Sequence, residues 1–331
     1  MKDLGFYYST ISGLTVSAFD VMEINKKQEI LEAAQEKVDK YKKQEDKEMK
    51  SGLVLEGGGM RGLFTAGVTD VMMEQGISYG ALVGVSAGAC FGCNYKSRQP
   101  GRVLRYNLAY CKDPRYCSFR SLWKTGNMFG TDFCYYEIPD KLDLFDVETF
   151  EHNPMEFYMV CTDIEMGTPY YHRCTSTRNP NEMEWIRASS SLPLVSQIVE
   201  IDGLKLMDGG ITDSIPIRFA EKMGYTKNVV VLTQPEGYVK KPSSMMGLLR
   251  RRFKNYPNFV DAMAYRHEMY NDTIQYIYEQ EAAGNAFVIR PQHLLPVGRI
   301  EHNPKKLRKA YQMGRDAATQ VLDKLKVFVE S

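Results

Sequence analysis

SGLVLEGGGMRGLF, residues 51–64, is the stretch that decides the fold. Its apolar run Leu53–Leu55 predicts a short buried strand, and the glycines after it predict a tight turn into a helix. That helix is expected over about Leu63–Gln75, where Gly76 ends it. The same order of strand, glycine-rich turn and helix returns from Ala81 onward. Such alternation is typical of a parallel sheet covered by helices on both faces.

Later apolar runs extend this sheet. Strands are predicted at Phe157–Cys161, Val229–Leu232 and Phe287–Ile289. Residues 198–207 predict a hairpin, whose Asp202-Gly203 turn suits type I′ geometry. The expected fold class is therefore α/β, a three-layer α/β/α sandwich with a mostly parallel central sheet.

Composition and charge exclude several classes of protein. The 331 residues are 44% hydrophobic and 25% charged, with a formal net charge of +1, so no nucleic acid partner is expected. No run of about 18 apolar residues is present, which argues against a transmembrane helix. Seven cysteines, an odd number, favour reduced thiols in a cytoplasmic protein. Cys90-x-x-Cys93 lacks the second pair that a zinc site of this type needs.

The N-terminal 48 residues differ from the rest of the chain. Residues 26–48 are rich in Glu, Lys, Gln and Ala and predict an exposed, charged helix. Residues 4–19 lack charges but are interrupted by Ser, Thr and Gly, and no signal-peptide cleavage site is evident. We expect a helical or partly ordered charged extension over residues 1–48. One domain with a helical C-terminal region is expected over residues 49–331.

The first of three short motifs is G-x-G-x-x-G over residues 57–62, between the first strand and its helix. This is the pattern of a dinucleotide-binding loop. Such a site also needs an acidic residue at the end of the second strand, where this chain has Gly84-Val85-Ser86. A dinucleotide-dependent oxidoreductase is therefore the weaker interpretation. The same glycine N–H groups at a helix N-terminus suit an oxyanion as well as a phosphate.

The second motif, G-x-S-x-G over residues 84–88, is a nucleophile elbow in the strand–turn–helix context that it requires. A serine nucleophile needs a base. Of the five histidines only His293 follows a late strand, and a Ser–Asp–His triad stays open as the runner-up. The third motif, D-G-G over residues 208–210, offers a carboxylate instead, and its glycines let the chain turn sharply beside the serine.

The three motifs, in this order and approximate spacing, resemble the patatin-like phospholipase family. The Ser- and Ala-rich block Ala188–Pro193 also looks like a block of that family. The resemblance covers about residues 51–233, and the C-terminal part looks like a bacterial subgroup.

This resemblance implies a serine lipid acyl hydrolase (a phospholipase, lysophospholipase or esterase) that works through an acyl-enzyme, without a cofactor or metal. The expected nucleophile is Ser86 and the expected base is Asp208. The glycines that shape the elbow and the dyad loop are Gly84, Gly88, Gly209 and Gly210. The expected oxyanion-hole residues are Gly57, Gly58, Gly59, Met60 and Arg61.

Two segments are candidates for contact with a lipid substrate or with the periphery of a membrane. Residues 96–150 are dense in aromatic and basic side chains, and residues 245–254 place apolar residues beside a basic run. Each segment also has an ordinary interpretation. For residues 96–150 it is a helix pair with solvated arginines, and for residues 245–254 it is an amphipathic surface helix. A non-catalytic lipid-binding protein is the remaining alternative for function. Proteins that keep the fold without the activity, however, usually lose the serine or the aspartate.

Overall fold

A computed structural model describes residues 51–176 and 180–330. The extension expected over residues 1–48 lies outside the described residues. The described part contains one eight-stranded sheet. Its strands are β1 (Ser51–Leu55), β2 (Ala81–Val85), β3 (Glu156–Asp163), β4 (Thr168–Cys174), β5 (Val199–Ile201), β6 (Leu204–Asp208), β7 (Lys227–Val231) and β8 (Ala286–Ile289).

The strand order is β5-β6-β3-β2-β1-β7-β8, and β4 pairs with β3. The strands β3, β2, β1, β7 and β8 run parallel, with Leu53 opposite Leu82 on one side and Val229 on the other. The pairs β3/β4, β3/β6 and β5/β6 are antiparallel. All residues of β1 and β2 are buried, which explains why both strands read as continuous apolar runs.

Helices connect and cover the strands. They are α1 (Gly62–Glu74), α2 (Ala87–Lys96), α3 (Arg102–Tyr110), α4 (Phe119–Thr125), the π-helical α5 (Phe133–Leu142), α6 (Val147–His152), α7 (Pro180–Ser189), α8 (Ile217–Lys222), α9 (Met246–Arg252), α10 (Pro257–Ala282) and α11 (Pro304–Glu330). Two short 3₁₀ turns, Gly59–Arg61 and Gly209–Ile211, follow β1 and β6. Within the described residues no helix is both long and apolar enough to cross a bilayer.

The central strand separates two apolar layers. Leu53 and Leu55 pack in one cluster with Phe64 of α1. Val54, between them, packs in a cluster on the other face with Ile277 of α10. Successive side chains of a strand point to opposite faces, so helices on both sides are needed to bury β1. The predicted three-layer α/β/α architecture with a mostly parallel sheet is confirmed.

The C-terminal helix α11 packs tightly on α1 at two glycines. An ideal Cβ on Gly67 would lie 2.1 Å from the carbonyl oxygen of Tyr311, and one on Gly314 would lie 2.0 Å from that of Phe64. The hydroxyl of Tyr311 donates to Asp70 Oδ2 at 2.6 Å. The two helices therefore approach each other closely enough to exclude side chains at both positions.

The predicted elements match the structure closely. Helix α1 ends within one residue of its expected position, and the predicted hairpin is present as β5 and β6. Asp202 and Gly203 both have positive φ, 52° and 80°, as a type I′ turn requires.

Candidate active site

Ser86 lies in the sharp turn between β2 and α2. Its φ of 54° and ψ of −121° form a positive-φ conformation, which costs a non-glycine residue about 1–3 kcal/mol. An ideal Cβ on Gly84 would lie 2.7 Å from the backbone nitrogen of Ala89. One on Gly88 would lie 2.4 Å from the carbonyl oxygen of Leu55. The turn therefore admits only glycine two residues before and two residues after the serine.

Ser189, the last residue of α7, holds this turn from the neighbouring helix. The N–H of Ser86 donates to Ser189 Oγ at 3.0 Å, and that hydroxyl donates to the carbonyl oxygen of Val160 at 2.7 Å. Ser189 is completely buried. The strained backbone of Ser86 is thereby tied to strand β3.

Asp208 ends β6 and is 2% exposed. Its backbone N–H donates to the carbonyl oxygen of Ser191 at 2.9 Å, and its own carbonyl accepts from Thr162 Oγ1 at 2.8 Å. In the carboxyl group, Oδ1 accepts from the N–H of Gly210 at 2.8 Å. The other oxygen, Oδ2, is buried and has no hydrogen-bond partner in the described part of the chain.

The Ser86 hydroxyl lies beside this carboxyl group. Burial raises the pKa of Asp208 above its ordinary value, while the Ser86 hydroxyl and nearby Arg266 oppose that rise. The hydroxyl and Oδ2 are not aligned as a formed hydrogen bond, because Oδ2 has no partner. Catalytic hydrogen bonds are often poorly aligned until the substrate binds.

Both glycines after Asp208 are in close contact with neighbouring atoms. An ideal Cβ on Gly209 would lie 2.1 Å from the carbonyl oxygen of Val160. One on Gly210 would lie 3.0 Å from Asp208 Oδ1 and 3.3 Å from Arg266 Nη2. The loop can therefore pass between β3 and the carboxyl group only without side chains.

Arg266 of α10 lies on the other side of this loop. Its Nε donates to the carbonyl oxygen of Gly210 at 2.5 Å. The guanidinium and the carboxyl group of Asp208 thus lie against the same glycine, and the positive charge lowers the pKa of Asp208. Burial in turn lowers the pKa of Arg266.

Further cations lie around the glycine loop. Arg61 and Arg299 each contribute to lowering the pKa of Arg266, and burial together with these charges lowers the pKa of Lys240 to about 7. The Nε of Arg61 is buried without a hydrogen-bond partner among the described residues. The loop therefore lies in a region of positive potential.

Glu56 is the buried carboxylate among these cations, directly before the loop, and is 1% exposed. Its Oε2 accepts from the N–H of Thr233 at 2.5 Å and its Oε1 accepts from the hydroxyl of Tyr270 at 2.9 Å. These two bonds fix the point at which β1 ends and the loop begins.

The loop over residues 57–61 lies against the nucleophile, since an ideal Cβ on Gly57 would lie 3.2 Å from Ser86 Cβ. Within the described part of the chain, the N–H groups of Gly58 and Gly59 have no acceptor. The other three N–H groups donate to carbonyl oxygens, Gly57 to Ser214 at 3.5 Å, Met60 to Arg299 at 3.0 Å and Arg61 to Gly58 at 3.3 Å.

Two separate features require glycine at position 59, namely its backbone conformation and the lack of space for a Cβ. Its φ is +58°, and an ideal Cβ would lie 2.4 Å from the carbonyl oxygen of Arg299. The backbone of Arg299 therefore packs against the loop, while Arg299 itself is exposed to solvent.

A cavity of about 240 Å³ begins at Ser86 and the loop. Its lining is mainly apolar and comes largely from α2, α5 and α7. A mainly apolar cavity beside a nucleophile suits a hydrocarbon chain better than a polar substrate. The apolar lining residues nearest in sequence to the loop and the elbow are Met60, Ala87 and Phe91, and others are Tyr106, Phe129, Ile138 and Ile186.

Cys90 and Cys93 form part of this lining. Burial raises the pKa of the Cys90 thiol to about 12 and that of Cys93 to about 11, so both thiols are protonated at neutral pH. Protonated buried thiols are inert as nucleophiles and as metal ligands. Among the described residues no group of three or more His, Cys, Asp or Glu side chains is placed to hold a metal ion.

A sequence model of patatin-like phospholipases matches residues 53–221, which contain the glycine loop, Ser86 and Asp208. The chain belongs to this family. A second family model, for a domain of unknown function named DUF6363, matches residues 256–330.

Relatives of this patatin-like protein occur in bacteria and fungi. YjjU, an uncharacterized protein of Escherichia coli K12, is 28% identical over 278 residues, which cover 80% of this chain and 74% of YjjU. Lysophospholipase nte1 of Aspergillus terreus is 25% identical over 293 residues, which cover 83% of this chain but 18% of nte1. Among solved structures, VipD of Legionella pneumophila is 12% identical with a TM-score of 0.43, over 83% of this chain and 67% of that chain.

Of the residues predicted from the three motifs in this patatin-like domain, Gly59, Met60 and Ser86 line the cavity, while Asp208 lies near Ser86 outside the lining. Sequence reasoning missed Arg266 and Tyr270, and it gave Arg299 no role in the site; all three come from the second matched region. Arg266 and Tyr270 lie in the long polar helix α10, where a single arginine or tyrosine is the usual pattern of a solvated face, so the chain carries no local signal for them. The role of Ser189 was also missed, although its Ser- and Ala-rich block was noticed.

No described histidine is hydrogen-bonded to Ser86 or Asp208. His293 is exposed and does not line the cavity. His172 is bonded to Glu182 at 2.8 Å instead. The Ser–Asp–His alternative therefore has no support in the geometry of this patatin-like domain.

Proposed function

We propose that this protein hydrolyses fatty acyl esters of lipids, with Ser86 as nucleophile and Asp208 as its base. Membership of the patatin-like phospholipase family supports lipid acyl hydrolysis in general. The observation that carries the finer proposal is the position of the Ser86 hydroxyl. It lines the apolar cavity and lies near the carboxyl group of the buried Asp208, one oxygen of which has no hydrogen-bond partner in the described part of the chain.

In the first half-reaction Ser86 Oγ attacks the ester carbonyl carbon, and its proton passes to Asp208 Oδ2. The carbonyl oxygen becomes an oxyanion, which the N–H groups of Gly58 and Gly59 stabilise. Removal of one such donor typically costs about 10²–10³-fold in turnover. The positive potential around the loop also favours negative charge at this point.

Collapse of the tetrahedral intermediate breaks the bond to the leaving alcohol, which takes the proton from Asp208. The fatty acyl group is then bound to Ser86 as an ester. A water molecule attacks this ester and gives its proton to Asp208. When the second intermediate collapses, the fatty acid leaves and Ser86 regains its proton.

The apolar cavity supports an acyl chain as the buried part of the substrate. The fungal relatives are named lysophospholipases, and a lysophospholipid is therefore the first natural substrate to test. The chain spans 18% of those fungal proteins, so their substrate is carried over here as a proposal only.

Turnover of a medium-chain p-nitrophenyl ester tests the dyad. We expect Ser86→Ala and Asp208→Asn each to lower kcat by about 10⁴-fold or more, because each removes a group that acts in the transition state. A fluorophosphonate probe should label the wild type at Ser86 and fail to label Ser86→Ala.

Asp213→Asn is the matched control for loss of a buried carboxyl. Burial also raises the pKa of Asp213, to about 6, but its Oδ2 accepts from the hydroxyl of Tyr171 at 2.8 Å. We expect this variant to retain activity. Near-normal activity of Asp208→Asn with loss of activity in His293→Ala would instead establish an ordinary triad. A folded wild type that neither hydrolyses nor labels would favour a lipid-binding protein.

A further inference from the structure

Helix α4 displays two aromatic side chains to solvent. Phe119 is 80% exposed and Trp123 is 86% exposed, the highest values among the large apolar side chains that the structure describes. They are four residues apart and so lie on one face of the helix. No residue of α4 is buried. Large exposed aromatic residues on one face mark a surface that contacts something else.

The helix is held by its two ends and by the partly buried Leu122, which packs against the core, and not by burial of the two aromatic side chains. At its start Ser118 Oγ accepts from the N–H of Ser121 at 3.0 Å, and at its end Gly126 adopts φ 76°. The side chain of Gln197 donates to the carbonyl oxygen of Thr125 at 2.9 Å. The aromatic pair is therefore dispensable for the local fold, although its exposure to water is unfavourable.

Basic side chains accompany the aromatic pair. Arg120 and Lys124 are exposed, and they form a second row beside Phe119 and Trp123. Residues 116–131 contain no acidic residue. The face is thus both aromatic and positively charged, which complements a surface with an apolar interior and anionic headgroups.

The helix also lies next to the substrate cavity. Asn127 and Phe129, which follow α4 directly, line that cavity, and Met128 between them is tied to Val195 by a hydrogen bond of 2.8 Å. The short segment that follows α4 therefore connects the helix to the lining of the cavity.

We propose that α4 docks the protein onto a membrane surface of anionic phospholipid. Phe119 and Trp123 enter the interface and Arg120 and Lys124 contact the headgroups. The proposal rests on the hydrolase function, because docking here brings a membrane lipid to the cavity.

Helix α9, the other basic segment, provides a comparison. Leu248 is 52% and Met245 is 49% exposed, beside the arginines at 250–252. In contrast to α4, whose Leu122 is only partly buried, this segment buries Leu249 and Phe253 in the core. It is therefore an ordinary amphipathic surface helix, and it supplies matched control variants.

Tryptophan fluorescence tests the docking directly, because the chain has two tryptophans. Trp185 is 2% exposed and stacks on His172 at 4.0 Å, so it serves as an internal reference. Ser86→Ala, which prevents hydrolysis, is mixed with vesicles of equal parts phosphatidylglycerol and phosphatidylcholine. We expect the emission to shift to shorter wavelength, and we expect no shift in Ser86→Ala/Trp123→Ser.

Co-sedimentation with the same vesicles measures affinity. We expect Phe119→Ser/Trp123→Ser to bind at least about tenfold more weakly, since two aromatic side chains lose their apolar contact. Its hydrolysis of a short, water-soluble ester should equal that of the wild type. The control Met245→Ser/Leu248→Ser should bind vesicles like the wild type.

Three results would overturn docking through α4. They are undiminished binding by the α4 variant, loss of binding in the α9 control alone, and a Trp123 emission typical of a buried side chain before vesicles are added. The last would mean that a second copy or another part of the chain covers α4. Equal binding to pure phosphatidylcholine would overturn the requirement for anionic lipid. Absent ester hydrolysis with intact vesicle binding would contradict the hydrolase function and leave docking standing.

Discussion

Asp208 is subject to two opposing effects. Burial leaves its Oδ2 without a competing hydrogen bond in the described part of the chain, but burial also raises its pKa. A carboxyl group accepts a proton only when it is ionised, so a base buried in this way needs positive charge nearby. Arg266 supplies such a charge across Gly210. In this structure the pH range of the proposed base therefore depends on an arginine of a distant helix.

The pH profile of Arg266→Gln tests this dependence. Activity is lost as the pH falls through the pKa of Asp208, because the protonated carboxyl cannot accept the proton of Ser86. Removal of the positive charge raises that pKa, so the acidic limb of kcat/KM should move to higher pH. Arg266→Lys keeps the charge and should leave the limb near its wild-type position. A uniform loss of activity in Arg266→Gln, without a shift, would show that the arginine acts only through the loop geometry.

At the scale of elements, the space around each helix glycine differs, and this space decides whether the helix could carry a side chain at that position. The crossing of α1 and α11 has no room for a side chain at Gly67 or Gly314. In α9, by contrast, an ideal Cβ on Gly247 would have no atom within 4 Å. Glycine weakens a helix relative to alanine, so a helix glycine is needed for packing at Gly67 and Gly314 but not at Gly247.

Alanine substitutions at two of these glycines should therefore have opposite effects. Gly314→Ala is expected to destabilise the protein by about 1–3 kcal/mol or more, because its Cβ would overlap a backbone carbonyl and the helices would have to separate. Gly247→Ala is expected to be neutral or to stabilise by up to about 1 kcal/mol. Chemical denaturation followed by circular dichroism measures both. Equal destabilisation by the two substitutions would contradict the packing argument.

At the scale of the whole molecule, the two regions that match family models both contribute residues to one candidate site. The patatin-like region, residues 53–221, contains the serine, the aspartate and the loop. The region over residues 256–330 contributes Arg266 beside Asp208, Tyr270 on Glu56 and the carbonyl of Arg299 on Met60. We therefore propose that residues 49–331 act as a single hydrolase domain.

Tyr270→Phe tests whether the C-terminal region supports the loop. Removal of its hydroxyl leaves Glu56 Oε1 buried without its donor, which should cost about 1–3 kcal/mol of stability. It should also lower kcat, because Glu56 fixes the start of the glycine loop. Tyr276→Phe is the control, since that hydroxyl donates to Glu221 at 2.6 Å, away from the site. Loss of stability without any effect on kcat would mean that the bond is only structural.

Much of the site was predictable because its geometry is local. The elbow glycines are required by backbone atoms close to Ser86, and the D-G-G turn by the path of the chain after β6. The sequence did not indicate which N–H groups of the expected oxyanion loop lack an acceptor. Of its five N–H groups, only those of Gly58 and Gly59 lack an acceptor in the described part of the chain. Whether a loop N–H group has an acceptor depends on carbonyl oxygens such as that of Arg299, which is far from the loop in the sequence.

The sequence by itself determined the elements that short-range sterics control: the buried parallel strands, the glycine turns after β1, β2 and β6, and the type I′ hairpin. Only the tertiary structure decided which charges surround Asp208, which loop N–H groups remain available and which aromatic residues face solvent. Tyr270 and Glu56 are 214 residues apart, and Arg266 and Gly210 are 56 apart. Contacts over such separations leave no periodic or local pattern in a sequence, because they depend on how whole helices pack.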